Sequence, residues 1–252
     1  MKTLNKNLLI ALILGLAFGL TACKSEIDDK PAATVVEGET KEQPAEKAAD
    51  APVEKAVDAP AEKAADAPTD APADPGAAKT VDGTFNVDLA SSSIKTVGAK
   101  VTGDHTLDFK KFEGKIDVKA GQPAAIDFTL QMGEFTTDID NEEMSAKFIG
   151  HMKSADFLDA EKFPTATFKS TKIEAGSTAA GTHQIEGEMT LRGVTKTISF
   201  PATLTLDGAK ASGKAEFTIN RKDFGIVYAG KADDLIKDDV LLKLDLNFNT
   251  SN

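Results

Sequence analysis

The residues able to perform acid–base, nucleophilic or metal chemistry are few in this chain and lie far apart. The histidines are His105, His151 and His183, and the single cysteine is Cys23. A zinc site built from these histidines and a carboxylate is the alternative that such residue types leave open. No Gly-x-Ser-x-Gly elbow, His-Glu-x-x-His pair or glycine-rich phosphate loop occurs in the sequence. We therefore predict no catalytic site and no metal centre.

The arginines are Arg192 and Arg221. A guanidinium group suits fixed bidentate pairing with a carboxylate. We therefore expect both to brace carboxylates such as Asp223, with ligand contact as the alternative.

One acidic cluster predicts a short helix. Asp140 to Glu143 forms a capping box with Asp140 at the N-cap, after which Met144 and Phe148 share a face and Gly150 ends the helix. A calcium loop is the alternative, but the cluster lacks the glycine that an EF-hand turn requires.

Residues 150–169 follow this helix and change from helical to alternating apolar spacing around Pro164. Ser154 is the expected N-cap of a short turn through Phe157, and Pro164 starts an extended segment. We expect a lid across the end of a β-structure, with His151 and Phe163 as lid residues.

Alternating apolar and polar residues predict β-strands throughout the chain from residue 81 onward. The predicted strands lie near residues 85–89, 93–99, 107–118, 126–132, 165–173, 183–191, 198–206, 214–220 and 240–248. Turn residues separate them at 121–123, 175–177, 192–193 and 207–208. Strands with one apolar face each must bury that face, in either a sandwich or a closed barrel.

The N-terminus resembles a bacterial lipoprotein signal. Lys2 and Lys6 precede an apolar run at residues 8–20, which is too short to span a membrane, and Leu-Thr-Ala then leads into Cys23. The resemblance implies cleavage before Cys23 and attachment of acyl chains there; an ordinary cleavable signal is the alternative. Lys24 takes the place of the aspartate associated with inner-membrane retention, which favours the outer membrane.

Residues 23–80 predict a disordered tether between the signal at residues 1–22 and a domain at residues 81–252. The segment is rich in Ala, Pro, Glu and Lys, and it contains three copies of an eight-residue unit that begin at residues 45, 53 and 61. A proline in each copy limits any helix to about two turns. The tether would reach from roughly 40 Å as a coil to about 170 Å as polyproline.

The formal net charge of −11 argues against two classes of partner. Nucleic acid and anionic lipid surfaces would both be repelled electrostatically. We therefore predict no nucleic-acid binding.

Four stretches of this sequence together resemble the YceI-like domain, a family of small bacterial lipid-binding proteins. They stand in the family's order, at residues 150–168, 189–196, 217–225 and 240–246. The chain departs from the family pattern in two places: Asp88-Leu89-Ala90-Ser91-Ser92 lacks a histidine that is frequent there, and tryptophan is absent.

The resemblance implies an all-β, eight-stranded, antiparallel, lipocalin-like barrel with one short helix and a lid loop at one mouth. It also implies a periplasm-facing protein that carries a polyisoprenoid or a similar amphipathic lipid, such as a quinone tail. A structural or partner-binding module and an enzyme acting on an isoprenoid are the alternatives. The expected pocket-lining residues are Phe128, Leu130, Met144, Phe148, Phe157, Phe168, Phe200, Phe217 and Phe248.

Overall fold

The computed structural model describes residues 25–36, 41–42, 82–178 and 180–250. The predicted signal sequence, Cys23 and most of the predicted tether lie outside these described residues. Within them, no helix is both long and apolar enough to cross a membrane.

The described residues form strands, one α-helix and two short 3₁₀ helices, at Glu26–Asp29 and Arg221–Phe224. The helix α1 spans Glu142–Lys153. The strands are β1 (Thr34–Val35), β2 (Lys41–Glu42), β3 (Gly83–Val87), β4 (Ser93–Lys100), β5 (Gly103–Phe109), β6 (Phe112–Lys119), β7 (Gln122–Gln131), β8 (Phe135–Thr137), β9 (Thr165–Thr178), β10 (Gly181–Leu191), β11 (Val194–Asp207), β12 (Lys210–Asn220), β13 (Gly230–Lys231) and β14 (Asp234–Thr250).

These strands close into an antiparallel barrel in chain order. Three of its strands are bent and consist of two consecutive segments each: β3 with β4, β5 with β6, and β7 with β8. The pairing continues from β7 through β9, β10, β11 and β12 to β14. β14 then pairs with β3 and β4 and closes the ring. The predicted eight-stranded barrel is confirmed.

Alternation along the strands places apolar side chains inside the barrel. On β14, Leu242, Leu244, Leu246 and Phe248 face the interior, and the other strands contribute their own alternate residues to the same core. Left-handed backbone at Arg192 and Gly193, with φ of 53° and 74°, makes the predicted turn between β10 and β11.

Several predicted strand and turn boundaries are wrong, three of them for reasons that the structure shows. The strand predicted near residues 107–118 is interrupted, because Lys110 and Lys111 bond across the bend to Glu134 and Gln131. β3 ends at Val87, and its last predicted apolar residue, Leu89, is exposed. The turn predicted at residues 175–177 is strand, since β9 runs through to Thr178.

The helix also differs from its prediction at both ends. The N-cap is Asn141 and not Asp140, because the Asn141 side chain accepts the Met144 N–H at 2.9 Å. The helix passes Gly150 and ends where the N–H and hydroxyl of Ser154 both bond the carbonyl of His151. Ser154 therefore closes this helix. It also opens the next turn as predicted, because its hydroxyl accepts the Asp156 N–H at 3.4 Å and its carbonyl accepts the Phe157 N–H.

Part of the predicted tether is folded against the barrel. Residues 25–36 form the first 3₁₀ helix and β1, and residues 41–42 form β2. Ile27 is buried on the outer wall among Val97, Ala99 and Leu241. The overall composition of residues 23–80 hides these few apolar residues, which precede the repeats. A tether stays a prediction for residues 23–24, 37–40 and 43–80, which lie outside the described residues.

Candidate functional site

Two adjoining apolar cavities lie within the barrel. The inner cavity has a volume of about 120 Å³ and the helix-side cavity one of about 180 Å³. Five residues line both and so mark the junction between them: Ile94, Leu130, Ala166, Met189 and Leu242. At about 10–15 Å³ for each water-sized group, the two cavities together have room for on the order of twenty such groups.

Phenylalanine rings from separate strands line the inner cavity. They are Phe128, Phe168, Phe200, Phe217 and Phe248, on β7, β9, β11, β12 and β14. The Phe200 and Phe217 rings stack with centroids 4.1 Å apart, and the Phe168 ring lies 5.4 Å from that of Phe200. The structure thus brings together all the phenylalanines predicted on strands of the pocket.

Two strand glycines set the positions of two of these rings. A Cβ on Gly114 would lie 2.2 Å from a ring carbon of Phe128, and one on Gly187 would lie 2.6 Å from the Phe168 ring. Each ring therefore lies flat over the backbone of the neighbouring strand, which a larger residue would prevent. Sequence reasoning missed these glycines. A glycine directly opposite an aromatic residue in paired strands, as Gly114 is opposite Phe128, is a recognisable signal.

The helix-side cavity is lined by the second half of α1 and by the lid. Phe148 and Met152 contribute from the helix, and Phe157 and Leu158 from the lid segment. Leu130, Phe148 and Phe157 therefore lie where the sequence predicts. Met144 does not: its side chain is 62% exposed and lines neither cavity.

Met144 departs from the prediction because only the later turns of α1 pack on the barrel. Phe148, Ile149 and Met152 contact the core, whereas the helix buries no residue completely. Helical spacing places Met144 on the face of Phe148, but it does not indicate how far the barrel extends beneath that face.

The two predicted lid residues, His151 and Phe163, do not line the helix-side cavity, although Phe157 and Leu158 between them do. The His151 ring packs edge-on against the rings of Phe157 and Tyr228, at 4.9 Å and 5.2 Å, and its Nε2 lies 3.2 Å from a carboxylate oxygen of Asp156. Phe163 occupies the space beside Gly193, where a Cβ would approach its ring to 2.6 Å. The segment is thus held to the barrel by ring contacts.

The arginines bond mainly to backbone carbonyls. The carboxylate that Arg221 meets is Asp238, at 3.4 Å, and not the predicted Asp223. Arg192 donates to the carbonyls of Gly225 and Ala155, each at 2.6 Å. Arg221, only 3% exposed, donates to Ile226 O at 2.6 Å and, at longer range, to the carbonyls of Lys237 and Ile236 and to Asp238.

Arg221 also lines the helix-side cavity. Burial lowers its pKa, but a guanidinium group stays protonated in proteins. The carbonyl dipoles around it therefore stabilise a fixed positive charge in the wall of the helix-side cavity.

The histidines do not meet. His105 lies 3.3 Å from Asp138, His151 beside Asp156, and His183 beside the Thr182 hydroxyl at 2.8 Å. Burial lowers the pKa of His183, which favours its neutral form. Across the described residues, no three His, Cys, Asp or Glu side chains are grouped as metal ligands.

The family model for the YceI-like domain matches residues 85–248, which cover all but the outermost residues of the barrel. The chain belongs to the YceI-like family. Its YceI-like barrel is similar to that of BcnA from Burkholderia cenocepacia, with a TM-score of 0.54 and 23% identity over 64% of this chain and 98% of BcnA. It is also similar to a domain from Saccharophagus degradans described as polyisoprenoid binding and implicated in plant cell wall breakdown. There the TM-score is 0.52, with 15% identity over 66% of this chain and 98% of that domain.

Sequence relatives cover a shorter part of this YceI-like chain. A UPF0312 protein of Ectopseudomonas mendocina is 35% identical over 124 residues, which are 47% of this chain and 62% of that protein. A UPF0312 protein of Pseudomonas aeruginosa is 32% identical over 47% of this chain and 61% of its own length. The chain therefore spans less than two thirds of these relatives. The likeness to the two solved structures establishes the barrel fold.

Proposed function

We propose that this YceI-like protein binds a polyisoprenoid or a similar amphipathic lipid, with the chain of the lipid in the two adjoining cavities. The observation that supports the proposal is the continuous apolar lining from Phe248 in the inner cavity to Phe157 under the lid. The Saccharophagus degradans domain of the same fold, described as polyisoprenoid binding, supports the same class of ligand.

The energy of burial is sufficient for such a ligand. About twenty carbon groups at about 0.8 kcal/mol each give a gross gain of about 16 kcal/mol. Ordering of the flexible chain and loss of its free motion offset several kcal/mol of this gain. With costs of about half the gross gain, the net free energy of binding is about −8 kcal/mol, which corresponds to a micromolar affinity.

The polar end of the ligand belongs at the helix-side cavity. Thr96, Lys100, His105 and Arg221 are among the residues that line it. An amphipathic lipid would place its alcohol, phosphate or quinone head there and its tail against the phenylalanine rings. The tail lies in the inner cavity whichever of these head groups the lipid carries.

Mass spectrometry of an organic extract tests the ligand class. We expect an isoprenoid to co-purify with the full chain, and the stripped protein to bind geranylgeraniol, a twenty-carbon isoprenoid alcohol. If the protein carries straight-chain lipids and does not bind geranylgeraniol, the proposed ligand would be replaced by another class of lipid. A protein that converts geranylgeraniol into a new product would be an enzyme.

We further propose that Cys23 anchors the protein to a membrane of the cell envelope, facing the periplasm, and that this membrane is the outer one. The proposal is supported by the sequence around Cys23, where an apolar run and small residues precede the cysteine. Several acyl chains hold a protein on a bilayer durably. Cys23→Ser should move the protein from the membrane fraction to the soluble fraction, and a variant that still sediments with membranes would contradict the anchor.

A further inference from the structure

The pairing between β11 and β12 is incomplete, so the barrel wall is open between them. These strands pair only from Thr203 to Asp207 on β11, against Lys210 to Lys214 on β12. Beyond that ladder, β11 keeps its pairing with β10, and β12 keeps its pairing with β14. The facing edges of β11 and β12 are therefore free to pair with another strand. We call this part of the wall the seam.

Residues 31–36 occupy the seam as an additional strand. On one side, Ala33 N–H donates to Thr218 O at 2.7 Å, and Thr218 N–H donates to Pro31 O at 2.9 Å. On the other side, β1 pairs with Ser199 and Ile198, and Val36 N–H donates to Thr197 O at 2.9 Å. The segment runs antiparallel to β11 and parallel to β12, as a strand inserted between antiparallel neighbours must.

The preceding residues hold this segment to the outside of the barrel. Ile27 fills an apolar depression over Val97, Ala99 and Leu241. Ion pairs join Glu26 to Lys243, Asp28 to Lys237 at 2.6 Å, and Lys30 to Glu216. These pairs lie near the surface, where each contributes little. We call residues 25–36 the strap.

The seam borders the ligand cavities. Ile198 and Phe200 on β11 and Phe217 on β12 line the inner cavity beside it, and Ile219 lines the helix-side cavity. Ala33 of the strap packs against the same apolar core. Without the strap, the seam would give the long apolar chain of a lipid access to the cavities through the side of the barrel.

We propose that the seam is a strand-binding site, that the strap of the same chain is its occupant, and that release of the strap opens the ligand cavities laterally. The strap can leave the seam at little cost because it buries little apolar surface. Its inserted residues Pro31, Ala32 and Ala33 are small, and residues 34–36 are exposed. By contrast, β12 pairs with β14 along its whole length. This inference rests on the proposed function only in taking the cavities as the ligand site.

The strap also connects the seam to the proposed anchor. It starts two residues after Cys23, and two extended residues span about 7 Å. Acyl chains on Cys23 would therefore hold the outer wall at β4 and β14 close to the bilayer. An apolar ligand could then pass between the bilayer and the cavity by a short path.

Amide hydrogen exchange on the full chain tests occupancy of the seam. The N–H groups of Ala33, Val36 and Thr218 should exchange at least tenfold more slowly than unpaired amides. Ala33→Pro removes the donor to Thr218 O and should accelerate exchange at Thr218 by tenfold or more. Ala33→Ser keeps that N–H and is the matched control. Unprotected amides in the unmodified chain would overturn the proposal.

A disulfide that fixes the strap in the seam tests the gate, which is the lateral opening of the cavities on release of the strap. Thr34 and Ser199 are register partners, and opposite residues of an antiparallel pair have Cα atoms about 5 Å apart, within disulfide range. With Cys23→Ser in every variant, Thr34→Cys with Ser199→Cys should take up the neutral dye Nile red at least tenfold more slowly when oxidised than when reduced. Equal rates in both states would overturn the gate.

Two deletions provide a matched comparison. Removing residues 25–42 should accelerate dye uptake at least tenfold, whereas removing residues 50–67, a segment of equal length within the repeats, should leave the rate unchanged. If the protein without residues 25–42 fails to fold, the disulfide variant still tests whether release of the strap opens the cavities. A chain that is dimeric and loses amide protection on dilution would assign the strand to a second copy and overturn the intramolecular strap.

The ligand class is judged separately. A chain that never retains geranylgeraniol would contradict the proposed function, while hydrogen exchange and Nile red uptake would still report on the strap.

Discussion

Phe168 and Phe217 line the same cavity, but they differ in what surrounds them. Phe217 is almost completely buried and stacks on Phe200, whereas Phe168 is only partly buried and lies over Gly187. Burial on all sides makes a ring part of the core. A ring with a free face is available to a ligand.

Alanine substitutions should separate these two roles. Phe217→Ala should lower the free energy of unfolding by about 3–5 kcal/mol because it leaves a cavity in packed surroundings. Phe168→Ala should cost less in the stripped protein, yet weaken geranylgeraniol binding tenfold or more, which corresponds to about 1.4 kcal/mol of lost contact. Denaturant unfolding measures the stability of both variants, and titration with geranylgeraniol measures their affinity. A large stability loss for Phe168→Ala with unchanged affinity would assign this ring to the core.

Gly114 offers a second test at the same scale. In Gly114→Ala the new methyl group would collide with the Phe128 ring and push it into the inner cavity. We expect a stability loss of about 1–3 kcal/mol, typical of overpacking, together with weaker binding. Gly176→Ala on β9 is the control, since no atom lies within 4 Å of its Cβ position. Equal effects of the two substitutions would contradict this role of Gly114.

At the scale of elements, the sequence predicts strands well because one side of each strand faces the interior. Alternation on β14 therefore gives both the strand and the orientation of Phe248. Bends give no such signal. The break at Lys110 and Lys111 depends on bonds to residues that are distant in the sequence, and the bend before β4 depends on Asn247, whose side chain donates to Ser91 O at 2.6 Å.

Helix ends were predictable only to within a few residues, because neighbouring polar residues can each serve as a cap. The structure selects Asn141. Asn141→Ala should therefore lower the free energy of unfolding by about 0.5–2 kcal/mol, whereas Asp140→Ala should change it by a few tenths at most. Chemical denaturation followed by circular dichroism distinguishes them. A larger loss for Asp140→Ala would restore the N-cap that the sequence predicted.

At the scale of the whole molecule, buried apolar residues hold the barrel together, and surface carboxylates secure turns at different places along it. Asp82 accepts the N–H groups of Gly121 and Ala120 after β6, and these bonds lower its pKa. The pKa of Asp234, at the start of β14, is lowered mainly by a hydrogen bond from Lys100 and further by Thr102.

These lowered pKa values predict a loss of stability in acid. The unfolded chain binds protons at these carboxylates more tightly than the folded chain, so the stabilisation is complete at neutral pH and is lost as the pH falls below about 4. Asp82→Asn combined with Asp234→Asn should lower stability at pH 7 and flatten its decline between pH 5 and pH 3. Urea midpoints across this range provide the measurement, and an unchanged decline would contradict the assignment.

The strap also affects the order in which the barrel can be completed. Lys30 and its partner Glu216 are separated by 186 positions, so the strap is synthesised long before the strands that it joins. Closing so long a loop costs entropy that nearby contacts cannot repay early in folding. We therefore expect the strap to dock last, after β11 and β12 have formed. If Cys23 is acylated as proposed, late docking would leave the strap undocked while the enzymes that cleave and acylate an exported chain act, and docking would follow that processing.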